Sequence, residues 1–167
     1  MILVMMLYMA RSEGAKILTT ASGPAAWTLT DLTVGMGYSF EVKIEDADID
    51  RFAAVSGDRS PLHMNDNFAR ARGFRGRVVH GAYLVSLASR MLGMHLPGEN
   101  CLLQSVQMKF AAPTYSGTQI RLTGVIDQVS EAARAAVVKL NVADAVSGGI
   151  LASGKATIGL TIGEANE

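Results

Sequence analysis

The stretch from about His80 to Met94 limits the fold more than any other part of the chain. Leu84, Leu87, Ala88 and Met91 recur at the spacing of one helical face. Val85 and Leu92 widen the apolar stripe, and Ser86 and Ser89 add only mild polarity. At about fifteen residues such a helix is too short to cross a bilayer, and it wants cover on nearly every side. Cover follows at once. Val106, Met108 and Phe110 alternate with Gln107 and Lys109, Ile120 and Leu122 with Gln119, Arg121 and Thr123, and Ala136, Val138, Leu140 and Val142 with Lys139 and Asn141, while Ile150 to Ile162 is a less regular strand. Turn residues at Pro113 to Gly117, Ser130 to Ala133 and Asp144 to Gly149 separate these segments, so neighbours in sequence are expected to pair antiparallel. With a further short strand at Tyr38 to Ile44, the pattern predicts an α+β domain. A curved antiparallel sheet wraps around one long central helix, and its exposed edge would be closed by a second copy.

Ahead of that helix lies the stretch that looks like a site, Ser56-Gly57-Asp58-Arg59-Ser60-Pro61-Leu62-His63. A five-residue spacing puts Asp58 and His63 on different sides of a helix and on opposite faces of a strand. They converge only if the backbone turns sharply between them, and Gly57 and Pro61 favour such a turn. A carboxylate and an imidazole held together can position a water and move its proton at neutral pH. The loop leaves an expected helix with acidic first turns at Glu45, Asp46 and Asp48, an inner face of Ile49, Phe52, Ala53 and Ser56, and a stop at Gly57. A second short helix is expected over Asn65 to Arg72, with Phe68 and Ala69 turned inward.

The 167 residues are 49% hydrophobic and 18% charged, enough apolar material for the core of one domain. Fifteen basic residues balance fifteen acidic ones, so no overall charge points to nucleic acid, an anionic membrane or a polyanionic partner. Locally, Arg70, Arg72, Arg75 and Arg77 fall within eight positions, either to meet a phosphate-bearing ligand or to form a solvated surface. A single cysteine, Cys101, forms no intrachain disulfide and fits a reducing compartment, here the cytoplasm. His63, His80 and His95 lack a recognisable ligand spacing, so neither a metal nor another cofactor is expected. His95 belongs to a helix end or loop. Residues 1–32 read as an N-terminal extension, for which disorder, an added dimer contact and a mistaken start codon are alternatives, and 33–167 as the domain. The apolar run Met1 to Ala10 lacks a positively charged start, and is not expected to be a cleavable signal.

Over roughly Tyr38 to Leu160 the chain resembles the MaoC-like, or R-specific enoyl-CoA hydratase, family of the hot dog fold. Ser56, Gly57, Asp58, Pro61, Leu62 and His63 match its Ser-Gly-Asp, Asn-Pro, aliphatic, His pattern. Gly73-Phe74-Arg75-Gly76-Arg77-Val78-Val79-His80-Gly81 is similar to the lead into its central helix, and Phe110-Ala111-Ala112-Pro113 with Gly117 to its later turn. Ser60 stands where the family usually has Asn, and Asn65 where it usually has an acid. The resemblance implies a hydro-lyase of fatty acid metabolism that adds water to, or removes it from, the 2,3 bond of an acyl-CoA or acyl carrier protein thioester, and that works as a homodimer. It implies Asp58 and His63 as the catalytic pair. The backbone N–H of Gly81 is implied as a donor to the thioester oxygen, with tight packing at a helix start as the other reading. His80 would line the pocket or fix the loop, and Ser60 would support the loop or substrate. A hot dog thioesterase and a non-catalytic acyl-thioester binding module are the alternatives.

Overall fold

The computed structural model describes residues 23–161. Five strands, β1 (Gly37–Lys43), β2 (Cys101–Phe110), β3 (Gln119–Ser130), β4 (Ala135–Asp144) and β5 (Ile150–Leu160), form one antiparallel sheet in the order β1-β3-β4-β5-β2. Four helices, α1 (Asp46–Ser56), α2 (Pro61–Met64), α3 (Asp66–Ala71) and α4 (Gly81–Met94), lie between β1 and β2 in the chain. Register shifts at Leu103/Ser105, Ile126/Gln128 and Val142/Ala143 put irregularities into three of the four strand pairs. Such bulges bend strands, and here the sheet curves around α4.

The apolar stripe of α4 is the centre of the core. Leu84, Leu87, Ala88, Met91 and Leu92 are buried, facing Leu122, Ile126, Val138, Leu140 and Ile158 from the sheet in one continuous cluster. Each such large side chain contributes about 1.5–3 kcal/mol when fully withdrawn from water. Gly124 of β3 lets the helix approach closely, because a Cβ there would sit 3.1 Å from Cγ of Met91.

Pairing departs from the expected order at one place. β2 and β3 are neighbours in sequence but not in the sheet: β2 pairs with β5, and β3 with β1 and β4. The link between them is held near β5 at its start, where Ala111 N–H donates to Leu151 O, and near β1 at its end, where Gly117 N–H donates to Ile44 O. It therefore crosses the end of the sheet and cannot act as a hairpin. β2 also begins earlier than its alternating part, at Cys101. Its first half shows no alternation because it lies on the open edge, with Leu102 and Leu103 exposed.

Packing also begins upstream of residue 33. Ala25 N–H donates to Met94 O, Trp27 N–H donates to Pro97 O, and Leu32 is buried in the core, so residues 25–32 brace the end of α4. The rest of the expected extension, residues 1–22, lies outside the described residues. Among the described residues no helix is long and apolar enough to cross a membrane.

Candidate active site

α1 delivers the chain to the site. Asp48 at its third position accepts from the N–H of Glu45, the helix buries Ile49 and Ala53, and Gly57 ends it in the left-handed region at φ 76°. A side chain at Gly57 would be strained there. Asp58 follows immediately. Its Oδ1 accepts the N–H of Ser60 at 3.1 Å, a two-residue turn closed by a side chain. Pro61 then starts α2 at its first position, where its missing N–H costs nothing. The sharp turn expected between Asp58 and His63 is present, and it runs straight into one helical turn: His63 sits on α2, and Asp58 stands outside it.

This bend brings the two groups together, with His63 Nε2 3.9 Å from Asp58 Oδ2. The gap is too long for a direct hydrogen bond and suits a single bridging water. His63 Nδ1 lies 2.7 Å from the carbonyl oxygen of Val78. A carbonyl only accepts, so Nδ1 carries a proton and Nε2 is the ring nitrogen left on the side of the carboxylate. Asp58 is half exposed and His63 mostly covered.

His80 is buried at the N-cap of α4, stacked on His63 with ring centroids 3.8 Å apart and planes 28° apart. Its Nε2 donates to the backbone oxygen of Asp58 at 2.9 Å, which ties the start of α4 to the loop. Nδ1 of His80 is buried without a hydrogen-bond partner, and Phe52 of α1 packs on the ring at 5.1 Å. Of the two readings for His80, lining the pocket or fixing the loop, the bond to Asp58 supports the second, and the ring also lies against that of His63. Gly81 follows, and a Cβ there would lie 2.9 Å from Cζ of Phe110. Tight packing at the helix start is therefore real. In that first turn Tyr83 N–H donates to His80 O at 3.0 Å, while the N–H groups of Gly81 and Ala82 precede the first helical bonds.

Ser60 enters through its backbone: its N–H holds Asp58, and its carbonyl accepts from the N–H of His63 at 2.9 Å. A shorter side chain than Asn does not disturb either bond. Asn65 caps α3 by accepting the N–H of Phe68 at 2.9 Å, and Asp66 accepts the N–H of Arg77 at 2.9 Å. Both residues are engaged in holding the loop.

Asp58, His63 and His80 bring a carboxylate oxygen and one nitrogen of each ring within 4.8 Å of one another. Their arrangement does not suit a metal. Imidazole lone pairs lie in the ring plane, and planes this nearly parallel do not meet within the ~2.1 Å reach of a nitrogen–metal bond.

The arginine-rich segment lines an open cleft of about 620 Å³, and none of Asp58, His63 and His80 lines it. Arg70, Arg75 and Arg77 share it with Asp46, Asp66 and Asp144. The Arg75 guanidinium lies 4.1 Å over the Tyr115 ring. Charges of both signs make it a solvated polar surface more than a phosphate cradle. Sequence reasoning named no single arginine, and it missed Arg77, whose Nε donates to the carbonyl of His63 at 2.6 Å. The available signal was the four-residue spacing of Asp46 and Asp50, which puts two acids on one face of α1.

Residues 31–147 match the family model described as the MaoC like domain. The chain belongs to the MaoC-like family. Among its MaoC-like relatives is an (R)-specific enoyl-CoA hydratase of Rhodospirillum rubrum, 28% identical over 128 residues, which are 77% of this chain and 88% of the relative. A 3-hydroxybutyryl-CoA dehydratase of Methylorubrum extorquens is 37% identical over 87 residues, 52% of this chain and only 55% of the relative's length. The solved structure of an (R)-hydratase from A. caviae superposes with a TM-score of 0.74 at 28% identity, covering 78% of this chain and 98% of that one. The curved sheet and central helix are therefore the expected hot dog fold.

Proposed function

We propose that this MaoC-like protein is an R-specific enoyl-thioester hydratase, working in either direction as hydratase or 3-hydroxyacyl dehydratase. The observation that carries the reading is the 3.9 Å gap between His63 Nε2 and Asp58 Oδ2, with the other ring nitrogen committed to Val78. Both facing atoms accept hydrogen bonds, so a water between them donates both of its protons and turns its oxygen lone pairs outward. As that oxygen bonds to C3 of the enoyl group, the pair takes one proton, and a proton is returned at C2; one water is added in all. Negative charge then gathers on the thioester oxygen, and the N–H of Gly81 at the start of α4 is the donor proposed for it.

No metal or redox cofactor has a part in these steps, and coenzyme A enters as part of the substrate. The carrier is proposed as coenzyme A, with an acyl carrier protein thioester as the other form. The open edge at β2, with Leu102, Leu103 and Phe110 exposed, supports a homodimer. Cys101 is half buried, and burial pushes its thiol up to about 11, which suits an inert thiol, and the cytoplasm is the proposed location.

The test is a panel of enoyl-CoA and enoyl carrier protein thioesters, read together by double-bond absorbance, free thiol and the configuration of the product. The proposal expects loss of the double bond, an (R)-3-hydroxyacyl product and no thiol. Thiol release would instead make the protein a thioesterase, and binding without turnover a binding module.

A further inference from the structure

Arg77 stands between the site and the open cleft, and its mostly buried guanidinium reaches two separate elements. Nε donates to the carbonyl of His63 at 2.6 Å, while one terminal nitrogen donates to Asp50 Oδ1 and the other lies 3.8 Å from Asp46 Oδ1. Asp46 and Asp50 share one face of α1, the helix that delivers the chain to Asp58. One side chain therefore joins the element before Asp58 to the turn that carries His63. The next residue completes the grip: Val78 N–H donates to Leu62 O at 3.1 Å, and its carbonyl receives the His63 ring proton. Backbone and ring of His63 are both held by residues 77 and 78.

Both acids are exposed, so these ion pairs add little to stability. What the cross-link governs is spacing, and a misplacement of about 1 Å at a reacting centre can cost on the order of 100-fold in rate. A planar fork with several donors suits this task, and a lysine does not replace it.

We propose that Arg77 is a positioning residue that sets the gap between Asp58 and His63. The kinetic consequence rests on the hydratase reading, and the geometric one does not. Two variants test it. Arg77→Lys keeps the positive charge and loses the fork, and Asp50→Asn loosens the α1 end while leaving the bond to His63. Each is measured for kcat and KM on an enoyl-CoA panel, and by NMR titration of the His63 ring, whose signal is identified by its loss in His63→Ala. The expected result for Arg77→Lys is a fall in kcat of about tenfold with KM within about twofold, and a displaced His63 titration at a near wild-type melting temperature. Asp50→Asn shows the same pattern at about threefold. A folded Arg77→Lys protein with wild-type kcat and wild-type His63 titration overturns the proposal. If that variant does not fold, the same pair of results in Asp50→Asn overturns it. A wild-type protein that hydrates no enoyl thioester sinks the hydratase reading alone, and the His63 titration then decides the role of Arg77.

Discussion

Two groups of ionisable side chains lie on either side of Arg77, and they are built on opposite plans. In the cleft, Arg70 and Arg75, with the mostly covered Arg77 at its edge, face Asp46, Asp66 and Asp144. At the site, one carboxylate faces one ring nitrogen across 3.9 Å, and each is pinned from behind by a backbone group. Charge in the cleft is answered locally and does no evident chemistry. At the site, hydrogen-bonding capacity is left open toward one small volume, and density of charge is the poorer guide to function.

The largest effect that would sharpen this contrast is expected at the pair itself. His63→Ala and Asp58→Asn should each lower kcat for hydration by about 10²–10⁴-fold with the fold intact, as judged by circular dichroism. Next comes the helix start. Gly81→Ala pushes a methyl against the half-exposed Phe110 ring, which can swing aside, and should cost under about 1 kcal/mol in denaturant unfolding, with part of it recovered in the double variant with Phe110→Ala.

A third effect is acid sensitivity away from both groups. His95 stacks on Tyr38 at 4.1 Å, and its pKa is lowered below the usual 6.5 by burial and by Arg90. The unfolded chain thus binds a proton more readily than the folded one, so stability is present above about 6.5 and is lost as pH falls from there through the folded value. The melting temperature should drop on acidification through that window, and His95→Gln should flatten the dependence. The smallest effect belongs to the cleft: Arg75→Ala should leave kcat and KM within about twofold. A larger loss there than at the pair would break the comparison.

Much of this was legible in the residues. The i, i+3, i+4, i+7 stripe of α4 identified the core helix because packing answers directly to periodicity. Gly57 and Pro61 foretold the bend because their backbone preferences are local. Strand order was not legible, since alternation reveals a strand's faces and not its partners, and the link from Ala111 to Thr118 crosses the sheet end for reasons set by both ends. Nor was the stack of His63 on His80, seventeen positions apart. Arg77 was hidden among four similar arginines until the fold placed it against α1.

The central claim is that Asp58 and His63 act on one shared water, and a double-variant cycle measures it most directly. If they work as a unit, the protein carrying both Asp58→Asn and His63→Ala should lose no more hydration rate than the worse single variant. Losses that multiply would show two independent contributions and contradict the account.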